Sequence, residues 1–273
     1  MDFSGRIAVI TGGASGIGAA CATMLAERGA RVIIADRDEQ RAKALAASLG
    51  ATAIGLDVGR RGANEDAAAQ IEATAGPVDI LVTSAGILQR PLPPEALAEA
   101  EIEDVTRVDQ LGTYYAAAAF GARMARRGRG SIIAIASIAG SRSMPLHAYA
   151  PAKAAVIAIA RNLAAEWGPS GVRVNSVSPG FTLTPALVAQ IKAGQRDPAL
   201  LAGTSAMGRA VRMEEVAEAV CFLASDAASG ITGIDLPVDA GWLVAGSWAS
   251  YGGLPAARGN AGGRDPGEAT SAP

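Results

Sequence analysis

Short runs of β-branched and other apolar residues alternate along this chain with longer stretches whose apolar positions recur at helical spacing. The runs near 6–10, 31–35, 52–56, 79–83, 131–136, 172–177 and 234–238 predict seven strands. Between them, stretches near 16–28, 38–48, 62–75, 95–127, 150–167 and 214–225 predict helices. Such βαβ units wind as right-handed crossovers into a parallel sheet covered on both faces. The expected fold is therefore α/β, a single-domain Rossmann-like doubly wound parallel sheet. Its ligands should gather at the carboxyl ends of the strands. Pro237, in the last run, suits a sheet edge or a strand end.

Two stretches break the rhythm. Residues 181–212 form a long connection with weak helical patterning, the kind of segment that becomes a lid over a site. Residues 246–273, rich in Gly, Ala, Pro and Ser, read as an extension beyond a domain of residues 1–245. Trp248, Tyr251 and Leu254 are expected to anchor its first part, and disorder is expected from about residue 258.

At 273 residues, 50% of them hydrophobic, the chain can bury a substantial core as one large domain. A net charge of −2 without a lysine/arginine cluster beyond a pair leaves no electrostatic footprint for nucleic acid. The N-terminus, MDFSGRIAVITGG, lacks the basic and apolar regions of a signal peptide, and no 18-residue apolar run occurs. The expectation is a cytoplasmic protein with neither a membrane nor a nucleic-acid partner. Cys21 and Cys221 fall within apolar helical patterns and read as buried free thiols in a reducing compartment.

The first candidate site is the segment Thr11-Gly12-Gly13-Ala14-Ser15-Gly16-Ile17-Gly18, set between a predicted strand and a predicted helix. Glycines there let the backbone turn sharply and approach an anion, while free N–H groups and the helix dipole favour a pyrophosphate. Its spacing is G-x-x-x-G-x-G rather than G-x-G-x-x-G, so context has to support it. Asp36, at the end of the second strand and 20 residues after Gly16, stands where a Rossmann unit places its ribose-binding acid. A carboxylate there accepts from both ribose hydroxyls and repels a 2′-phosphate, which favours NAD over NADP. Arg37 beside it could instead hold that phosphate.

The second candidate is Tyr149-Ala150-Pro151-Ala152-Lys153. At the start of a helix Tyr149 and Lys153 lie one turn apart on one face, and an ammonium beside a phenol favours the phenolate that acid–base chemistry uses. The alternative is an ordinary i,i+4 surface pair. Ser137, ending the fifth strand twelve residues earlier, could hold a substrate carbonyl beside the phenol. His147, the chain's one histidine, is better read as shaping the loop than as catalytic. Arg126, Arg127 and Arg129 lie at a predicted helix C-terminus, where complementing the dipole is sufficient explanation.

With T-G-G-A-S-G-I-G (11–18), Asp36, L-D-V (56–58), S-A-G (84–86), S-I-A-G (137–140), Y-A-P-A-K (149–153), N-S-V-S-P-G (175–180) and V-D-A-G (238–241) in this order, the chain resembles the short-chain dehydrogenase/reductase family from Phe3 to about Trp242. The resemblance implies that Tyr149 is the acid/base, that Lys153 tunes it and binds the nicotinamide ribose, and that Ser137 polarises the carbonyl. It further implies a dinucleotide seat of Gly12, Ser15, Gly16, Ile17 and Gly18, with Asp36 and Arg37 at the adenosine ribose and Asp57 and Val58 at the adenine. Ala85 and Gly86 would line the groove, and Pro179, Gly180, Thr182 and Thr184 would flank the nicotinamide. Hydride passes directly between cofactor and carbon, so no metal is needed. A homotetramer is implied as well, through helices around 95–127 and 150–167, although their alanine-rich faces could equally pack within one subunit.

Three departures from the family pattern stand out. Thr83-Ser84 replaces two asparagines, Asp109 stands where the family has a fourth catalytic residue, an asparagine, and the separation of Ser137 from Tyr149 is one residue short. Asp109 keeps the backbone carbonyl and can accept the same hydrogen bonds, and it could also pair with Lys153. The expected function is NAD-dependent interconversion of a secondary alcohol, such as a polyol, sugar or hydroxy compound, with its ketone. The alternatives are a β-ketoacyl or cyclic-ketone reductase and, in another class, a non-catalytic NAD(H)-binding subunit. No lysine/arginine set in 181–212 converges on an obvious phosphate or CoA site.

Overall fold

The computed structural model describes residues 1–256. Its strands are β1 (Ile7–Thr11), β2 (Arg31–Asp36), β3 (Thr52–Gly55), β4 (Ile80–Thr83), β5 (Gly130–Ile135), β6 (Val172–Pro179) and β7 (Asp235–Val238). They pair parallel throughout in the order β3-β2-β1-β4-β5-β6-β7. The helices are α1 (Gly16–Glu27), α2 (Glu39–Leu49), α3 (Arg61–Thr74), α4 (Glu99–Val105), α5 (Gly112–Arg127), α6 (Tyr149–Trp167), α7 (Pro185–Lys192), α8 (Pro198–Gly203), α9 (Met213–Ala224) and α10 (Trp242–Ala245).

Both faces of the sheet are covered, and β1 shows how. Ala8 and Ile10 join one core with Cys21 and Leu25 of α1, Ala42 of α2 and Val220 of α9. Ile7 and Val9 point the other way, into a core with Ile71 of α3, Phe120 of α5 and Ala164 of α6. Period-two alternation in a doubly covered sheet leaves no position for a polar face, so the strand reads as continuously apolar. Full burial of each such large side chain contributes about 1.5–3 kcal/mol. Pro237 lies on β7, an edge strand, where a missing N–H is best tolerated. Cys21 and Cys221 are free and buried in the α1/α9 core, and burial pushes the Cys221 thiol up to about 11.

The stretch expected as one helix over 95–127 is divided. A 3₁₀ turn, Pro94–Ala96, precedes α4, and a π-helical segment, Thr106–Leu111, joins α4 to α5. Pro93 and Pro94 disfavour an earlier helical start. The apolar spacing runs on through the wider π turn, so periodicity does not reveal it.

Segment 181–212 leaves and returns through a closed neck. Thr182 bridges Val211, with Leu183 N–H donating to the Val211 carbonyl and Val211 N–H to that of Phe181, both at 2.8 Å. The excursion beyond carries α7 and α8, each starting at a proline.

Two expectations are corrected. Trp248, Tyr251 and Leu254 are 48%, 89% and 37% exposed, because the 3₁₀ turn Gly246–Tyr251 and the residues after it leave these side chains at the surface. The region is tied instead by Trp242, edge-on to Phe181 at 6.1 Å, and by buried Ala245. The disorder expected from about 258 lies outside the described residues. Dipole complementation also understates the arginines after α5, since Arg127 pairs with Glu72 at 3.4 Å and Arg129 with buried Asp79 at 3.2 Å. No helix among the described residues is long and apolar enough to cross a membrane.

Candidate functional site

Beyond β2 the sheet places β3, while β4 lies on the opposite side of β1, so the crevice expected at such a reversal opens above the carboxyl ends of β1 and β4. A cleft of about 550 Å³ is lined by Asp36 and Arg37, by the glycine turn, by Ser137, Tyr149 and Lys153, and by Leu187, Gln190 and Arg196.

The glycine turn forms its inner floor. Gly12 adopts φ +63°, and a Cβ there would lie 2.5 Å from Ala85 Cα; a Cβ on Gly18 would collide with the Gly12 carbonyl. Only hydrogen fits at either position, which holds the turn tight against the chain leaving β4. Ser15 precedes α1 with an extended backbone and no side-chain cap, and the first turn carries no acid. Its N–H groups are left for an anion. Gly16, at φ +55°, faces Thr184 across the cleft, and Ile17 lines it. These features fit a pyrophosphate.

At the far end Asp36 is held by two backbone donors: Ala14 N–H reaches Oδ2 and Asp38 N–H reaches Oδ1, both at 3.0 Å. Arg37 is exposed beside it. Asp57 and Val58 also line this end, and Asp57 is engaged by Gly59 N–H at 3.0 Å and by Arg107 at 3.3 Å. Arg107 was not anticipated. It lies in the π segment and pairs with Asp104 as well, at 3.0 Å.

At the other end Tyr149 opens α6 and Lys153 follows one turn later. The lysine is buried. Nζ donates to the Ile135 carbonyl at 3.1 Å, stands 3.2 Å from Asp109 Oδ2 in an ion pair without hydrogen-bond alignment, and lies 5.5 Å from the Tyr149 ring centre. Asp109, also buried, accepts Ile87 N–H at Oδ1 (2.8 Å), and its carbonyl accepts the Thr113 hydroxyl (2.7 Å). Burial pulls the Lys153 pKa down, but the charge of Asp109 and the neighbouring Tyr149 oxygen outweigh it and hold it above its ordinary 10.5. Gly86 roofs the pair, since a Cβ there would lie 3.0 Å from Asp109 Oδ2 and 3.4 Å from Nζ.

Ser137 lies two residues past the end of β5 and lines the cleft, its Oγ accepting Ala139 N–H at 3.1 Å. Pro179 and Gly180, at and just after the end of β6, line it with Thr182 and Thr184. Thr182 donates to the Gly180 carbonyl at 3.0 Å, and Thr184 caps α7 by accepting Leu187 N–H at 3.3 Å. His147 is exposed and outside the cleft wall. Thr83, one of the two departures before Ala85, is buried with an unpartnered hydroxyl.

Two further residues escaped the sequence. Ala148 precedes α6 and cannot cap it, so the cap comes from Gln89: its Oε1 accepts Ala148 N–H at 2.6 Å and Tyr149 N–H at 3.2 Å. Gln89 is buried with Nε2 unpartnered, and the two donors fix which end of the amide faces the helix. A glutamine in a loop 60 residues away carries no signal of this. Arg196, between α7 and α8, lines the cleft as one basic residue of the 181–212 segment, where no convergent basic set was expected.

The sequence profile of a family described as Enoyl-(Acyl carrier protein) reductase matches residues 12–243. Among curated proteins, D-threitol dehydrogenase of Mycolicibacterium smegmatis is 39% identical, over 89% of this chain and 96% of its own length. Cis-4-hydroxycyclohexanecarboxylate dehydrogenase of Sinomonas cyclohexanicum is 40% identical, over 89% and 98%. A crystal structure described as ribose-5-phosphate isomerase from Brucella melitensis 16M superimposes with a TM-score of 0.91 at 55% identity, covering 93% of this chain and 98% of that one. With a profile match spanning the chain from the glycine turn to the last short helix, and full-length dehydrogenase relatives, the chain belongs to the short-chain dehydrogenase/reductase family and is a nicotinamide-dependent oxidoreductase acting on CH–OH groups.

Proposed function

We propose that this enzyme uses NAD to interconvert a secondary alcohol of a polyol, sugar or hydroxy compound with its ketone. The observation that carries the reading is one continuous cleft with Asp36 and a glycine turn at one end and Tyr149, Lys153 and Ser137 at the other. Asp36 supports NAD: its two backbone donors fix a carboxylate where a 2′-phosphate would meet like charge. Relatives named for D-threitol and for a hydroxycyclohexanecarboxylate support a secondary-alcohol substrate. The name given to the Brucella structure is a weaker guide, because aldose–ketose isomerisation has no use for a dinucleotide seat.

A dinucleotide in the cleft supplies the hydride acceptor for oxidation and the donor for reduction. Gly12, Ser15, Gly16, Ile17 and Gly18 would hold its pyrophosphate, Asp36 its adenosine ribose, and Asp57 and Val58 the adenine, with Ala85 and Gly86 lining the groove between. Pro179, Gly180, Thr182 and Thr184 flank the reactive end. In oxidation Tyr149 Oη, as the phenolate, would take the substrate O–H proton, and in reduction it would return it as the phenol. Ser137 hydrogen-bonds the carbonyl oxygen. Lys153 keeps an ammonium beside the phenol, held there by Asp109 and the Ile135 carbonyl, and Gln89 fixes the helix end from which Tyr149 projects. Two buried free thiols support a reducing, cytoplasmic setting. Exposed Ala154 and Ala158 on α6 leave a small-residue face for helix–helix contact between subunits, whereas Ala116, Ala117 and Ala160 are taken up by the subunit's own core.

Four outcomes are expected. Assayed at 340 nm against polyols, sugars and hydroxy acids, the protein turns over with NAD in preference to NADP, and Tyr149→Phe lowers kcat by about 10²–10⁴-fold. A preference for NADP would make Arg37 the deciding residue. Gln89→Leu strands the buried Ala148 donor, worth ~1–3 kcal/mol, and the part-buried Tyr149 donor, and lowers kcat about tenfold or more with little change in NADH affinity, while Gln89→Glu, which keeps the accepting oxygen and loses no Nε2 bond, restores most of it.

Asp109→Asn removes the charge that holds the Lys153 pKa up and leaves burial to dominate. The ammonium is then lost at lower pH, so the alkaline limb of the kcat/KM profile moves toward neutrality. The corresponding stability is present below the unfolded lysine value and fades only as pH rises through the raised folded one, so the wild-type pair is insensitive to acid from the lysine side. Light scattering should give four times the 27.3 kDa subunit mass; a monomeric mass would remove the tetramer.

A further inference from the structure

We propose that Arg196 makes the substrate end of the cleft a carboxylate-binding site, so that the preferred substrates are polyhydroxy acids oxidised at a secondary alcohol. The proposal rests on the oxidoreductase reading above and narrows its substrate class.

Among the described residues four cations line the cleft, and two of them are paired with carboxylates. Lys153 faces Asp109, and Arg107 is shared by Asp57 and Asp104. Arg37 and Arg196 have no such partner, but Arg37 is exposed at the adenosine end next to Asp36. Arg196 is less open to solvent. It is half-buried on the turn between α7 and α8, and among the described residues no carboxylate pairs with it. Its neighbour Asp197 is engaged elsewhere, capping α8 by accepting Ala199 N–H at 2.8 Å. The acids that line the cleft, Asp36, Asp57 and Asp109, all belong to the cofactor side or to the lysine.

The substrate end therefore carries one uncompensated positive charge. Met144, Leu146, Ala186 and Leu187 add apolar surface to the lining of the same cleft, and Gln190 of α7 adds a polar group. A partly desolvated guanidinium without a partner is unfavourable, and an anion that enters with the substrate relieves this. Its planar fork matches a carboxylate bidentately. A terminal carboxylate seated there leaves the remaining hydroxylated carbons to extend toward Ser137 and Tyr149 along the same cleft.

The test compares four- to six-carbon aldonates with alditols of equal length, with NAD as acceptor. The aldonates are expected to show at least tenfold higher kcat/KM. Arg196→Gln should lower the aldonate-to-alditol ratio tenfold or more, chiefly through KM, and Arg196→Lys should recover part of it. A binding arm uses the Tyr149→Phe protein saturated with NAD and titrated calorimetrically with aldonate, with and without Arg196→Gln. Arg196-dependent binding supports the proposal even where no alcohol is oxidised, a result that would overturn the functional reading alone. Equal or better turnover of alditols with an unchanged ratio in Arg196→Gln overturns the proposal, as does absence of aldonate binding. Weakened NADH affinity in Arg196→Gln with the ratio unchanged also overturns it, by assigning the guanidinium to the cofactor's pyrophosphate.

Discussion

Because β3 lies outside β2 while β4 lies on the far side of β1, the connections leaving β1 and β4 part in opposite directions and leave the carboxyl edge between them uncovered. The sheet beneath is sealed on both faces by apolar side chains, so this edge is where polar chemistry gathers. The closeness of the two connections is steric in origin: Gly12 packs on Ala85 at a distance that admits no side chain. One contact thus sets both the phosphate turn and the position of Gly86, which lies against the Asp109–Lys153 pair.

That pair gives the site its electrostatic character. A buried ammonium needs compensation, and here it has a carbonyl from β5 and a carboxylate from a π-helical segment. An asparagine at 109 would have left the lysine's charge open toward the tyrosine. The aspartate neutralises part of it and anchors Ile87 N–H, so the loop after β4 and the catalytic helix are joined through one carboxyl group.

Most of this architecture was legible in the sequence, for identifiable reasons. All seven strands lie within one or two residues of the apolar runs, and for the five inner ones the reason is that a doubly covered parallel strand writes its burial directly into composition. The Tyr149/Lys153 spacing and Asp36 after β2 were equally readable, since local geometry alone brings those groups into place. What escaped depends on contacts distant in sequence or on backbone variants without a pattern. Gln89 reaches across 59 residues to cap a helix that begins after alanine. The π segment keeps the apolar period of the helices on either side, so nothing marked the turn that carries Asp109 and Arg107. Trp248 and Tyr251 looked like anchors because large aromatics usually bury, and a short 3₁₀ turn leaves them outside.

The closed neck at Thr182 and Val211 also divides labour along the chain. Asp36, Arg37, Asp57 and Val58 at the adenosine end all precede β5, whereas Ser137, Tyr149 and the lining residues of the excursion follow it, with Gly86 and Asp109 joining them at the lysine. Since that excursion is pinned where it leaves the sheet, its residues beyond Thr184, which packs on Gly16, can be exchanged away from the strand ends and the phosphate turn. Selection on what is oxidised is thereby separated from selection on what does the oxidising, and a lineage can explore new substrates while its coenzyme seat stays fixed.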